Sequence, residues 1–192
     1  MIRSRRLLVG VAIVLLSFAV PERSGAQLSM RSIADSKGRF TIDFPRDWHV
    51  VRPESGMIAV LGAAATSGGP NPATLNVVVE EMPRAISPQT YARLSERLLK
   101  TVFHNYTAIE DGAAIIAGLP AYYRYFTWQP NDGRELYQVQ VYFTVGRRGF
   151  VVTGSTWHDP AYTRKYVPII AQIIETFHPA TVAFARGGQG AQ

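Results

Sequence analysis

The chain has 192 residues, 47% of them hydrophobic and 18% charged, with no cysteine and a formal charge of +6. This length suits one domain with one core. The missing thiol excludes cysteine catalysis, thiolate metal sites and lipid attachment at a processed N-terminal cysteine. Without the four arginines and Glu22 of the first 26 residues, 16 basic and 13 acidic side chains remain, or +3 over 166 residues. No basic stripe of the kind nucleic acid requires is left among them.

Residues 1–26 read as a secretory signal peptide. Arg3, Arg5 and Arg6 precede an apolar run from Leu7 to Val20, and Ser24-Gly25-Ala26 offers a small-residue cleavage site. The run of 14 residues is shorter than the roughly 20 that a spanning helix needs. Cleavage near Ala26 is therefore expected, giving a periplasmic or secreted product with no stable membrane anchor. Arg5-Arg6 fits an ordinary positive leader, with twin-arginine export as the other possibility.

Residues 27–38 are polar and read as a lead-in. Arg39 to Val51 reads as a hairpin: Phe40, Ile42 and Phe44 alternate at strand period, Pro45-Arg46-Asp47 makes the turn, and Trp48, Val50 and Val51 begin the return. Met57–Leu61 and Ala73–Met82 are further strands, joined by a loop rich in Ala, Ser and Gly. Ser87-Pro88 opens a helix, with serine as N-cap and proline at the first helical position. Its expected buried stripe is Tyr91, Leu94, Leu98, Leu99, Val102 and Phe103, while Arg93, Glu96, Arg97 and Lys100 face water.

Four strands follow: Thr107–Ala117, Leu119–Trp128, Leu136–Val145 and Phe150–Thr156. Pro130-Asn131-Asp132-Gly133 and Gly146-Arg147-Arg148-Gly149 have turn chemistry. Along Leu136–Val145, Tyr137, Val139, Val141, Phe143 and Val145 read as the buried side, with Gln138, Gln140 and Thr144 opposite. Asp159-Pro160 caps a second helix whose apolar face is Tyr162, Tyr166, Ile169, Ile170, Ile173, Ile174 and Phe177. Pro179 stops it, and residues 180–192 are expected to be a flexible tail. The order of elements predicts a single α+β domain over 39–179, with a mostly antiparallel sheet of about six or seven strands and helices packed on its faces.

Phe40-Thr41-Ile42-Asp43-Phe44-Pro45-Arg46-Asp47-Trp48 resembles the F-x-I-x-x-P-x-x-W opening of small domains related to PsbP, DcrB and the Mog proteins. Ile116-Ala117-Gly118-Leu119-Pro120-Ala121 before a long strand, and a last helix ending Ile174-Glu175-Thr176-Phe177, extend the resemblance to most of residues 39–179. It implies an antiparallel sheet flanked by helices. Relatives include an extrinsic photosystem II subunit, a nuclear Ran-binding factor and bacterial envelope proteins, several of them lipoproteins. The resemblance carries no catalytic motif to transfer, and this chain departs from the lipoprotein members in lacking the anchoring cysteine.

Candidate chemistry is sparse. His49, His104, His158 and His178 form no helical ligand pair. Glu80 and Glu81 are neighbours in a strand and point to opposite faces. Gly154-Ser155-Thr156 lacks the flanking pattern of a hydrolase elbow. No catalytic residue, cofactor site or metal site is therefore expected.

Aromatic density is the better lead. Alternation places Tyr122, Phe126 and Trp128 on one face and Tyr123 and Tyr125 on the other. If one face is partly open, Tyr123, Tyr125, Gln138, Gln140 and Tyr142 could make an amphipathic groove, with Arg147 and Arg148 offering a cationic hairpin tip. The expected function is an exported, non-catalytic accessory domain that binds another envelope protein. The alternative is a small-ligand carrier or sensor using the aromatic groove, and an enzyme ranks third.

Overall fold

The computed structural model describes residues 28–51, 59–62 and 71–180. In chain order the elements are β1 (Met30–Ala34), β2 (Phe40–Pro45), β3 (His49–Val51), β4 (Ala59–Gly62), β5 (Ala73–Glu81), α1 (Pro88–Val102), β6 (Thr107–Ile116), β7 (Leu119–Trp128), β8 (Leu136–Val145), β9 (Arg148–Trp157), α2 (Pro160–Ile174) and β10 (His178–Pro179). The expected cleavage site and the tail beyond Ala180 lie outside the described residues.

A seven-stranded sheet runs β3-β4-β5-β9-β8-β7-β6, and a three-stranded sheet runs β1-β2-β10. All pairings are antiparallel. One face of the large sheet presents Leu75, Val77, Val139, Val141, Phe143, Phe150 and Val152 to α2 and to Phe40, Ile42 and Phe44 of the small sheet. On the other face α1 lies over Tyr122, Tyr142 and Val151. The expected α+β class, antiparallel sheet and helices on both faces are thus present.

Seating α2 close to the sheet requires a glycine. A Cβ at Gly154 would run into the side chain of Ile170, so only a bare backbone lets the helix approach β9 at that point. The two helix starts form as expected. Ser87 Oγ accepts from Thr90 N at 3.2 Å, and Asp159 Oδ1 accepts from Ala161 N at 2.8 Å. The β6–β7 turn is tight because Ala117 and Gly118 both take positive φ, 53° and 75°. For alanine that conformation is strained, and the Ala117 N–H is held by Glu175 Oε2 at 2.9 Å.

Three expectations are corrected. Residues 39–51 form no hairpin: β2 pairs with β1 and β10, whereas β3 leaves the small sheet and pairs with β4 in the large one. Alternation shows that a strand has a buried side, but not which strand it joins. Within the polar lead-in, Met30–Ala34 is a strand. It sits at the sheet edge with mostly exposed side chains, and its pairing is made by backbone groups that leave no hydrophobic pattern. Finally, α1 buries Tyr91, Ala92 and Leu99, while Leu94, Leu98 and Val102 are 53%, 63% and 59% exposed. The sheet beneath it carries buried Arg124, Gln138, Gln140 and Thr153 beside Tyr122 and Tyr142, so α1 turns inward a narrow stripe of Tyr91, Ala92 and Leu99 and sets Glu96 against Arg124.

The β1–β2 turn is locked by Asp35, whose carboxylate is fully buried and accepts from Arg39 Nε at 2.6 Å and Nη2 at 3.1 Å. These bonds hold the Asp35 carboxyl below its ordinary range. A depressed folded pKa gives stability that is complete above about pH 4 and is lost as pH falls through the folded value. Asp35→Asn is therefore expected to cost about 1.5 kcal/mol at neutral pH and to flatten the acid limb of stability. Urea midpoints of both proteins at neutral and acid pH check this; equal acid losses would assign the limb to other carboxylates.

Candidate docking surface

Antiparallel register decides which aromatics meet. Tyr123 stands opposite Val141, Tyr125 opposite Val139 and Thr127 opposite Tyr137, so Tyr123, Tyr125 and Tyr137 share the α2 face. Because α2 covers β9 and β8 there, the three tyrosines remain only partly buried between that helix and edge strand β6. Their rings run in sequence: Tyr123 to Tyr125 at 5.7 Å, Tyr125 to Tyr137 at 5.9 Å, and Tyr137 to the exposed His158 imidazole at 6.0 Å. This spacing is that of mutually supporting aromatic pairs.

Both ends of the strip are pinned by carboxylates. Tyr123 Oη donates to Glu110 Oε1 at 2.7 Å, and His158 Nδ1 donates to Glu135 Oε2 at 2.7 Å. Gly112 makes room for the Tyr123 ring, since a Cβ there would stand 3.1 Å from its hydroxyl. Past Tyr137 the strip opens into a shallow groove of about 770 Å³, bordered by His158, Pro160, Thr163, Arg164, Val167 and Pro168. Pro168 has no N–H, which leaves the Arg164 carbonyl without its usual helical partner.

These tyrosines are stacking and hydrogen-bonding groups, not bases. The bond to Glu110 pushes the Tyr123 hydroxyl up to about 12. Burial raises those of Tyr125 and Tyr137. All three stay neutral at physiological pH, whereas a useful catalytic base titrates near it. Among the described residues, no group of three or more His, Asp or Glu side chains is placed to hold a metal ion.

The structure splits the groove expected from sequence. Tyr123 and Tyr125 lie on the α2 face, while Gln138, Gln140 and Tyr142 lie on the α1 face and are only 5%, 7% and 0% exposed. These three therefore form no open surface. Gln138 Oε1 accepts from Trp128 Nε1 at 2.6 Å, and Gln140 Oε1 accepts from the Tyr142 hydroxyl. Burial pushes that hydroxyl up to about 12. Arg147 and Arg148 are also engaged: Arg147 Nε donates to the Met82 carbonyl at 2.9 Å, and Arg148 Nε to Glu81 Oε1 at 2.8 Å. They staple the β8–β9 hairpin to the end of β5.

Sequence reasoning missed Tyr137 and His158 as members of the strip. The signal was there in the β7–β8 turn, whose register puts Tyr137 on the same face as Tyr125. The parity of Tyr137 with Val139 and Val141 masked it, because only the central part of that face is covered by α2.

Neither a scan against family models nor a search of curated proteins finds a match. Solved structures do match. Cyanobacterial PsbP (CyanoP) from Synechocystis is 14% identical, with a TM-score of 0.58 over 82% of this chain and 96% of that one. LpqN of Mycobacterium tuberculosis, described as involved in cell envelope biogenesis, is 15% identical, with a TM-score of 0.53 over 80% and 93%. The Ran-binding protein Mog1p of Saccharomyces cerevisiae is 8% identical, with a TM-score of 0.57 over 81% and 98%. The chain therefore has the α+β sandwich fold of the PsbP and Mog-like proteins, as the resemblance around Phe40–Trp48 implies.

Proposed function

We propose that the chain is an exported, non-catalytic binding domain that docks a segment of another cell-envelope protein along the strip Tyr123-Tyr125-Tyr137-His158. The observation that carries this reading is the strip itself. Three large aromatic side chains and an imidazole stay partly exposed, held in register by the sheet and pinned by Glu110 and Glu135. Rigid aromatic anchors of this kind give much contact area for little lost entropy. The adjoining groove is shallow and open, which suits a macromolecular segment better than the enclosed pocket of a small-ligand carrier. Mog1p is described as Ran-binding, which agrees with a binding role, and LpqN as involved in cell envelope biogenesis, which agrees with an envelope setting. Export rests on the layout of residues 1–26.

A photo-crosslinking residue at Thr163 or Arg164, both bordering the groove beside Tyr137 and His158, tests the proposal. Irradiation in envelope extract is expected to give one discrete protein adduct. Tyr125→Ala with Tyr137→Ala should weaken it by about tenfold or more. No adduct from either position, or one indifferent to the double variant, overturns the assignment.

A further inference from the structure

The opposite side of the molecule has a feature that partner docking on the strip does not use. Leu94, Leu98 and Val102 are spaced four residues apart on α1 and are each more than half exposed; among the described residues the other large apolar side chains so exposed are Ile109 and Ile115, apart from them on edge strand β6. Eight residues of helix rise about 12 Å, so the three form one continuous apolar row. Beside it runs a second row, Arg93, Arg97 and Lys100, all exposed. The only acid on α1 is Glu96, which is partly buried between the sheet and the edge of the cationic row. Its carboxylate meets Arg124 Nη2 at 3.3 Å and Lys100 Nζ at 2.9 Å. Lys100 is thus partly neutralised, and the outer surface of α1 is an apolar row flanked by Arg93 and Arg97, with its one carboxylate already paired.

We propose that this surface of α1 is a peripheral contact with an anionic phospholipid bilayer. Leu94, Leu98 and Val102 would enter the boundary between headgroups and acyl chains, and Arg93 and Arg97 would meet the lipid phosphates. A helix with an apolar stripe edged by basic residues lies in the plane of such an interface. Each nearby cation adds attraction to an anionic surface. A soluble acidic partner would match the arginines, yet it would leave unexplained an apolar row with no hydrogen-bonding group in it. The contact is reversible and needs no anchor. It would also leave the aromatic strip on the far face of the sheet pointing away from the membrane, open to a protein. The inference stands independently of the strip, because it uses other residues and another face.

The chain has no cysteine, which makes a site-specific test clean. Thr101→Cys places one thiol on the outer side of α1, and Gln172→Cys places one on exposed α2 across the sheet. Each is labelled with an environment-sensitive fluorophore and mixed with vesicles of phosphatidylcholine containing phosphatidylglycerol, or of phosphatidylcholine alone. The expected result is a blue shift at position 101 and not at 172, seen only with the anionic vesicles.

Replacing Leu94, Leu98 and Val102 together by serine should weaken binding by about tenfold. Arg93→Gln with Arg97→Gln should weaken it by about thirtyfold, and both variants should keep the parent unfolding midpoint. Every protein compared carries the same N-terminal segment, so any contribution from Leu7–Val20 cancels. Equal shifts at both positions, no preference for anionic vesicles, or binding untouched by either variant overturns the proposal. So does a dimer that the serine variant abolishes while the parent ignores vesicles, which would assign the row to a second copy of the chain.

Discussion

Phe177→Ala is expected to lower stability by about 3–5 kcal/mol, with a melting temperature roughly 10 °C below the parent. Phe177 is fully buried in the turn that follows α2. Its ring lies 5.6 Å from Phe40 on the small sheet, and 4.9 Å and 5.5 Å from Phe143 and Phe150 on the large one. One side chain therefore joins α2 to both sheets, and truncating it opens a cavity at their junction. Collapse around that cavity is limited, because each neighbouring ring is anchored on a different strand. Phe177→Leu keeps most of the volume and should cost below about 1.5 kcal/mol. Urea unfolding of the three proteins checks the ranking. An alanine variant costing under about 1 kcal/mol would mean that the small sheet is not mechanically tied to the large one.

That junction was hard to read from the sequence, and the reason is physical. Alternation of Phe40, Ile42 and Phe44 shows that one side of β2 is buried, and it is. The same pattern arises whether β2 pairs with the next strand or faces it across a core. Pro45-Arg46-Asp47 has the chemistry of a hairpin turn, yet the chain there crosses from one sheet to the other. By contrast, β6 to β9 were legible almost to their ends. Consecutive strands with Gly, Asn and Asp between them leave few other pairings, and Ser87-Pro88 and Asp159-Pro160 marked both helix starts through local capping bonds.

The candidate surface was legible in part, again for a local reason. Tyr123 and Tyr125 were assigned to a face distinct from Tyr122 and Phe126, and the register agrees. Gln138, Gln140 and Tyr142 were joined to them only because polar residues suggested an open side. Polarity is a poor guide there, since α1 covers that side and the two glutamines bond to Trp128 and Tyr142 beneath it. Periodicity marks α1 as amphipathic but does not fix which part of its apolar arc meets the sheet. The sheet beneath α1 mixes Tyr122, Tyr142 and Val151 with buried Arg124, Gln140 and Thr153, so Tyr91, Ala92 and Leu99 fill the apolar part and Leu94, Leu98 and Val102 stay outside.

Arg124 is the second side chain on which the fold is expected to depend. It is 1% exposed, beneath α1. Nη1 donates to the Ala92 carbonyl at 3.1 Å, and Nη2 is shared between Glu96 Oε2 and Asp111 Oδ2, both at 3.3 Å. Nε has no partner among the described residues. A buried guanidinium carries a large desolvation cost that two long ion pairs only partly offset. Its two carboxylates keep 25% and 44% of their side-chain exposure, so losing the arginine strands no buried anion. What α1 loses on truncation is chiefly volume, together with a link from its backbone to β7.

Arg124→Ala is therefore expected to cost about 3 kcal/mol, and Arg124→Met, which fills the space without a buried charge, within about 1 kcal/mol. Hydrogen exchange separates the local effect from the global one. Amides of α1 should lose protection in the alanine variant before those of β8 and β9, because the helix opens off the sheet while the strands stay paired. If methionine costs as much as alanine, the charge holds α1 in place and not the packing. The apolar row on the outside of that helix would then be displayed by an ion-pair clamp on its inside.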